Sequence, residues 1–144
     1  MALKVLILDD DEAVRSTLSK FLMACGFEVQ SYSEPSNCPT YLTSNCTCGK
    51  ETGCADIILT DINMPGSTGI SFIQNQIQNG CRVKNIAVMS GGWTEEDKKK
   101  VKKLGCMIFE KPFSMFELKK WLDRIKGDLA GRKKSTLLQY KIAQ

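Results

Sequence analysis

The sequence predicts a doubly wound α/β fold, a five-stranded parallel sheet with helices on both faces. Three observations carry this expectation. Four short apolar runs lie along the chain, each closed by a polar or charged residue, and a fifth strand-like segment alternates. Stretches with helical periodicity lie between most of them, and the connections are short. Strands buried on both faces read as near-continuous apolar runs, and their alternation with helices implies parallel pairing through crossovers.

Leu3 to Leu8 is apolar apart from Lys4 and stops at Asp9-Asp10-Asp11, as a buried first strand would. Val14, Leu18, Phe21, Leu22 and Cys25 then recur at helical spacing, with Asp11 suited to the N-cap and Gly26 to the stop. Phe27 to Tyr32 alternates as a second strand. A second helix is due between Glu34 and Ala55, yet Pro35, Pro39, Gly49 and Gly53 allow at most a short turn of helix around Thr40 to Ser44. A Cys-rich loop is therefore expected to replace or shorten that helix.

Ile57 to Thr60 is the second run and ends at Asp61; Ile70, Ile73 and Ile77, with Phe72 beside them, mark the next helix. Ile86 to Met89 ends at Ser90. A helix over Thr94 to Leu104 has Thr94 as cap, acidic residues in its first turn and lysines near its end, which complements the helix dipole. Met107 to Phe109 is the last run, ending at Lys111, and Ser114 caps a final helix to Ile125 with Phe116, Leu118, Trp121, Leu122 and Ile125 as its inner face. Residues 1–126 form one domain in this reading, and 127–144 a C-terminal tail, linker or short helix.

The chain has 144 residues, enough for one core and too few for two. With 42% hydrophobic and 25% charged residues it has a globular composition, and no apolar run approaches the roughly 20 residues of a membrane helix. No signal-peptide pattern precedes the first strand, so a cytoplasmic location is expected and no membrane partner. The net charge of +4 divides unevenly: residues 1–81 hold 4 basic and 9 acidic side chains, residues 82–144 hold 16 and 7. Lys98, Lys99, Lys100, Lys102 and Lys103 supply much of the excess on one helix; without interleaved aromatics or a DNA-binding motif they read as a solvated face, and nucleic acid is not expected as a partner.

The informative feature is where polar residues fall. Asp9 and Asp10, Asp61, Ser90 and Lys111 all follow apolar runs, and open α/β sheets bind ligands at the carboxyl ends of their strands. Three carboxylates brought together resist ionisation unless a cation is present, and Mg²⁺ with one or two carboxylates, waters and phosphate oxygens meets that need. Phosphoryl transfer depends on positioning and charge neutralisation; Asp61 would be the nucleophile, with Lys111 and Ser90 on the phosphate oxygens. The chain contains no histidine, which excludes His-based zinc sites, Ser-His-Asp triads and Cys-His nucleophiles.

The segments LKVLILDDDE, LTDINMPGSTGI, AVMSGG and EKPF, in this order, resemble the receiver domain of bacterial two-component response regulators over about residues 3–126. The resemblance implies the flavodoxin-like form of the fold, an acidic pocket of Asp9 and Asp10, phosphorylation at Asp61 and a Mg²⁺ shell completed by the backbone carbonyl of Asn63. It also implies that Ser90 and Lys111 read the phosphate, and that Met64-Pro65-Gly66 with Gly69 shapes the loop beside Asp61. The phosphoryl donor would be a histidine kinase or phosphotransfer protein. The output would be changed protein contacts, including a homodimer through the last two helices and final strand. Such a domain is a signalling module, promoting only its own phosphorylation and dephosphorylation.

Two departures accompany the resemblance. The aromatic residue usual three positions before the lysine is Ile108 here, and strand alternation puts Phe109 on the opposite face. Gly91 and Gly92 leave the expected phosphoryl site without bulky cover. Blander readings exist for each residue taken singly: helix capping for Asp9, Asp10 and Asp11, a surface lysine for Lys111 and a turn for Ser90. A haloacid-dehalogenase-type phosphatase with Asp9 as nucleophile and Asp11 as acid is the enzyme alternative, but it leaves DINMPG without a role. Cys38, Cys46, Cys48 and Cys54 could hold Zn²⁺ or an iron–sulfur cluster, form a disulfide, or stay free, and a metal or thiol sensor acting through this loop is a third function. Cys25, Cys81 and Cys106 read as small buried side chains.

Overall fold

The structure, a computed structural model, describes residues 3–35, 55–64, 67–78, 80–81 and 83–142, with side chains as far as 129. The expected turn of helix around Thr40 to Ser44 lies outside the described residues, as do Cys38, Cys46, Cys48 and Cys54. The chain divides into two compact units, Met1–Lys111 and Pro112–Gln144.

In the first unit the elements run β1 (Lys4–Leu8), α1 (Glu12–Ala24), β2 (Glu28–Tyr32), β3 (Ile57–Asp61), β4 (Asn63–Met64), β5 (Ser67–Thr68), α2 (Gly69–Gln78), β6 (Asn85–Ser90), α3 (Glu95–Lys103) and β7 (Met107–Glu110). Five of the strands form one parallel sheet in the order β2-β1-β3-β6-β7. The order reverses between β1 and β3. Right-handed crossovers on either side of such a reversal must cover opposite faces of the sheet. Accordingly Leu6, Leu8, Ile58, Ile86 and Val88 pack with Ile70, Phe72 and Ile73 of α2 and Val101 of α3. The alternate positions Val5, Ile7, Ile57, Leu59, Ala87 and Met89 are buried on the other face, the side of α1 with its buried Leu18 and Leu22. Each such Val, Leu, Ile, Phe or Met side chain contributes about 2 kcal/mol by leaving water, which is why these apolar runs become the central strands.

The caps follow the sequence. Asp11 Oδ1 accepts the N–H groups of Ala13 and Val14 at 2.9 and 3.3 Å, and Thr94 Oγ1 accepts that of Asp97 at 3.0 Å. Gly26, Gly80 and Gly105 take positive φ after α1, α2 and α3. A small antiparallel pair, Asn63 with Thr68 and Met64 with Ser67, directly follows β3 and was not expected. Ile77 is 47% exposed rather than inward, and the neighbouring Gln76 is buried instead. Cys25, Cys81 and Cys106 are half-buried rather than buried. Burial pushes the Cys106 thiol up to about 11.

The second unit is the helix α4 (Met115–Ile142), which begins after Ser114 and continues through Gly127 instead of stopping before it. Its buried side chains are Leu118, Trp121, Leu122 and Ile125. Phe116, expected on that inner face, is 66% exposed and carries the Lys120 ammonium 5.0 Å from its ring centroid.

Candidate functional site

The candidate residues gather where the strand order reverses. Asp9 follows β1, Asp61 ends β3, Ser90 ends β6, and Lys111 follows β7. Pairing fixes their relative heights: Leu8 lies opposite Thr60 and Asp61 opposite Met89, while the Lys111 N–H donates to the Ser90 carbonyl at 2.9 Å. The crevice outside the carboxyl ends of strands at such a switch point is where open α/β sheets place their ligands.

Asp9 is fully buried, and each of its polar groups has a partner. Its N–H donates to the Tyr32 carbonyl at 3.2 Å, its Oδ1 accepts the Asp11 N–H at 2.9 Å, and its Oδ2 accepts the Lys111 ammonium at 2.7 Å. Its carbonyl oxygen accepts the Arg15 guanidinium at 2.7 Å. Asp10 is exposed, and Asp11 is committed to the cap of α1. The capping alternative thus describes Asp11 and not its two neighbours.

Asp61 is 8% exposed, and its Oδ2 lies 3.5 Å from the Lys111 ammonium. Burial raises its pKa above the ordinary aspartate value; the Lys111 charge opposes this, Asp9 and Asp10 add to it, and the Ile62 N–H opposes it weakly. Burial works against the charged form of Lys111, but the hydrogen bond and charge of Asp9, then the charge and hydrogen bond of Asp61, outweigh it and raise its pKa. One ammonium therefore serves two carboxylates. The backbone under Asp61 is also confined. Thr60 Oγ1 donates to the Asp61 carbonyl at 3.0 Å, and the Gly69 N–H donates to the Ile62 carbonyl at 2.8 Å. A Cβ at Gly69 would overlap the Asp61 carbonyl oxygen and lie 3.1 Å from Thr60 Oγ1.

Ser90 is buried, and its Oγ accepts the Gly92 N–H at 3.1 Å, so its own proton is available to a ligand. Gly92 has open space where a Cβ would be, and a Cβ at Gly91 would meet only Lys111 atoms at 3.9 Å. Asn63 stands in β4, two residues past Asp61, with an exposed side chain. Ile108 is half-buried and packs with the Leu6, Leu8, Val88 and Val101 cluster, as does Trp93, whose indole N–H donates to the Phe109 carbonyl at 3.0 Å. Phe109 is buried outside that cluster.

Asp9, Asp10 and Asp61 each offer an oxygen within 4.8 Å of the others. Three carboxylates at that spacing, one of them exposed and one with a raised pKa, suit a small hard cation that takes oxygen ligands together with water. Arg15 was not singled out by sequence reasoning, and Gly69, expected to shape the loop beside Asp61, does so by closing on the Asp61 carbonyl itself. An Arg one turn into a helix reads as solvated, and only the loop geometry shows it turned back towards Asp9.

Fold and pocket together define a doubly wound domain with an acidic crevice at its switch point. The chain belongs to the response regulator receiver domain family of two-component systems, whose model matches residues 5–123. It is 30% identical over 113 residues to the transcriptional regulatory protein FixJ of Azorhizobium caulinodans, covering 78% of this chain and 49% of that protein. It is 33% identical over 87 residues to the two-component response regulator-like protein PRR37 of Oryza sativa, covering 60% of this chain and 11% of that protein. The chain thus spans half or less of these relatives' lengths. The Vibrio cholerae chemotaxis protein CheY4 superposes with a TM-score of 0.69 at 27% identity, over 87% of this chain and 99% of that one. A response regulator receiver protein from Pseudomonas putida shares the fold, with a TM-score of 0.73 at 22% identity over 86% and 98% of the two chains. Among the described residues no helix is long and apolar enough to cross a membrane.

Proposed function

We propose that this receiver domain takes a phosphoryl group on Asp61 from the phosphohistidine of a histidine kinase or phosphotransfer protein. An Asp61 carboxylate oxygen forms the new O–P bond as the donor's P–N bond breaks, and the electron pair stays on the imidazole nitrogen. Mg²⁺ held by Asp10 and Asp61, with Asp9 and the Asn63 carbonyl completing the set, would neutralise charge on the phosphoryl oxygens. Lys111 already bridges Asp9 and Asp61 and needs only a small movement to meet a phosphoryl oxygen. Ser90 donates its free proton to another, and Gly69 and Thr60 keep the Asp61 backbone in place for attack. The observation that carries this reading is the single ammonium shared by two carboxylates at the switch point. The phosphatase alternative places its general acid on Asp11, whose carboxylate caps α1 instead.

Phosphorylation adds negative charge to a crevice that already holds three carboxylates, and the response is a change in protein contacts. With a kinase as donor, the setting is the cytoplasm. The test is incubation with acetyl phosphate and Mg²⁺, followed by intact-protein mass. Stoichiometric addition of one phosphoryl group, abolished by EDTA, is expected; a mass unchanged at saturating donor and Mg²⁺ would reject the proposal.

A further inference from the structure

We infer that Arg15 is a positioning residue for the cation site, holding the Asp9–Asp10 peptide so that the Asp10 carboxylate points at the crevice. This rests on the phosphoacceptor reading above. Asp10 is exposed, so the direction of its carboxylate follows from the backbone that carries it. The peptide group is planar, and fixing the Asp9 carbonyl oxygen therefore fixes the Asp10 nitrogen and the departure of its Cα. Arg15 Nη1 grips that oxygen at 2.7 Å.

The route of the side chain explains why this position can do so. Arg15 lies four residues after the cap residue Asp11, and its N–H donates to the Asp11 carbonyl at 3.0 Å, so the two stand one above the other on the same face of α1. Helical side chains lean towards the N-terminus, which carries a long guanidinium back over the first turn to the loop. The other groups of Asp9 are tied to Tyr32, Asp11 and Lys111. Arg15 completes this set on the one group that orients the next residue.

The sign of the effect separates positioning from simple electrostatics. A cation beside an acidic site repels Mg²⁺, so if charge alone mattered, Arg15→Met would bind Mg²⁺ more tightly than the parent. If positioning dominates, Arg15→Met binds it about tenfold more weakly, the range seen when a residue supporting metal ligands is removed. Arg15→Lys keeps the charge and a donor at a shorter reach, and falls between the two. The measurement is a Mg²⁺ titration followed by backbone amide NMR shifts around residues 10 and 61, with thermal melts confirming that each variant is folded. A dissociation constant for Arg15→Met equal to or below the parent's overturns the positioning role while leaving the phosphoacceptor reading standing. If Arg15→Met does not fold, Arg15→Lys decides alone: weaker binding than the parent supports positioning, equal or tighter binding overturns it. A parent that shows no saturable Mg²⁺ shifts at all overturns both readings.

Discussion

Gly69→Ala adds one methyl group at the position where the chain passes closest to the proposed nucleophile. The new Cβ would overlap the Asp61 carbonyl oxygen, while lying 3.0 Å from the Asp61 carbonyl carbon and 3.1 Å from Thr60 Oγ1. Two of these three atoms are backbone and none is the end of a flexible side chain, so the β3 end and the start of α2 must part by roughly 1 Å to restore ordinary contact. The hydrogen bond from the Gly69 N–H to the Ile62 carbonyl, now 2.8 Å, is stretched or lost in the process. Overpacking of this kind costs about 1–3 kcal/mol of stability. A shift of roughly 1 Å at a reacting group can cost about a hundredfold in rate. The assay is urea unfolding alongside the rate of phosphorylation by acetyl phosphate under conditions where the variant is folded. A destabilised protein phosphorylated at least tenfold more slowly is expected. Parental stability and parental rate together would show that the close approach does not constrain Asp61.

Lys111→Met leaves the fully buried Asp9 carboxylate without its 2.7 Å partner and should lower unfolding stability by about 3 kcal/mol, of which saturating Mg²⁺ restores a part; urea melts with and without Mg²⁺ check this. Asp61→Asn should stabilise the metal-free protein. A carboxyl whose folded pKa is raised disfavours the fold once it ionises, so stability falls as pH rises from the unfolded value through the folded one. The penalty is complete above that window, where each tenfold difference in proton affinity between the two states is worth about 1.4 kcal/mol, and Asn escapes it. Parallel melts at pH 7 and at pH 4 test this, with the gain smaller at the lower pH. Trp93→Phe removes the indole donor to the Phe109 carbonyl and should cost about 1 kcal/mol in thermal or urea unfolding, with the Mg²⁺ dissociation constant unchanged.

The sheet was legible because its central strands are buried on both faces, which leaves runs such as Ile57 to Leu59 with no polar interruption. The pocket was legible for a related reason: the polar residues that close those runs are brought together by parallel pairing, as the contacts among Asp9, Asp61 and Lys111 show. Two-residue strands such as Asn63–Met64 carry too little pattern to be seen in advance. The last helix was expected to end at Ile125, where its apolar face ends, whereas α4 runs on through Gly127, since one glycine costs a helix only about 1 kcal/mol. Phe116 shows the limit of periodicity, since an aromatic in the first turn can cover its ring with Lys120 instead of a core. Arg15 was illegible as a site residue because its role depends on which backbone oxygen lies opposite it, and no spacing rule encodes that; Gly69 was legible beside Asp61 through the family resemblance, but not its contact with the Asp61 carbonyl.

Whether Asp61 or Asp9 carries the phosphoryl group is decided by treating the parent, Asp61→Asn and Asp9→Asn with acetyl phosphate and Mg²⁺, then reading intact masses and mapping the modified peptide. One phosphoryl group on the parent at Asp61, none on Asp61→Asn, and slower labelling at the same residue in Asp9→Asn are expected. Labelling that survives in Asp61→Asn and disappears in Asp9→Asn would contradict the assignment of Asp61 as the acceptor.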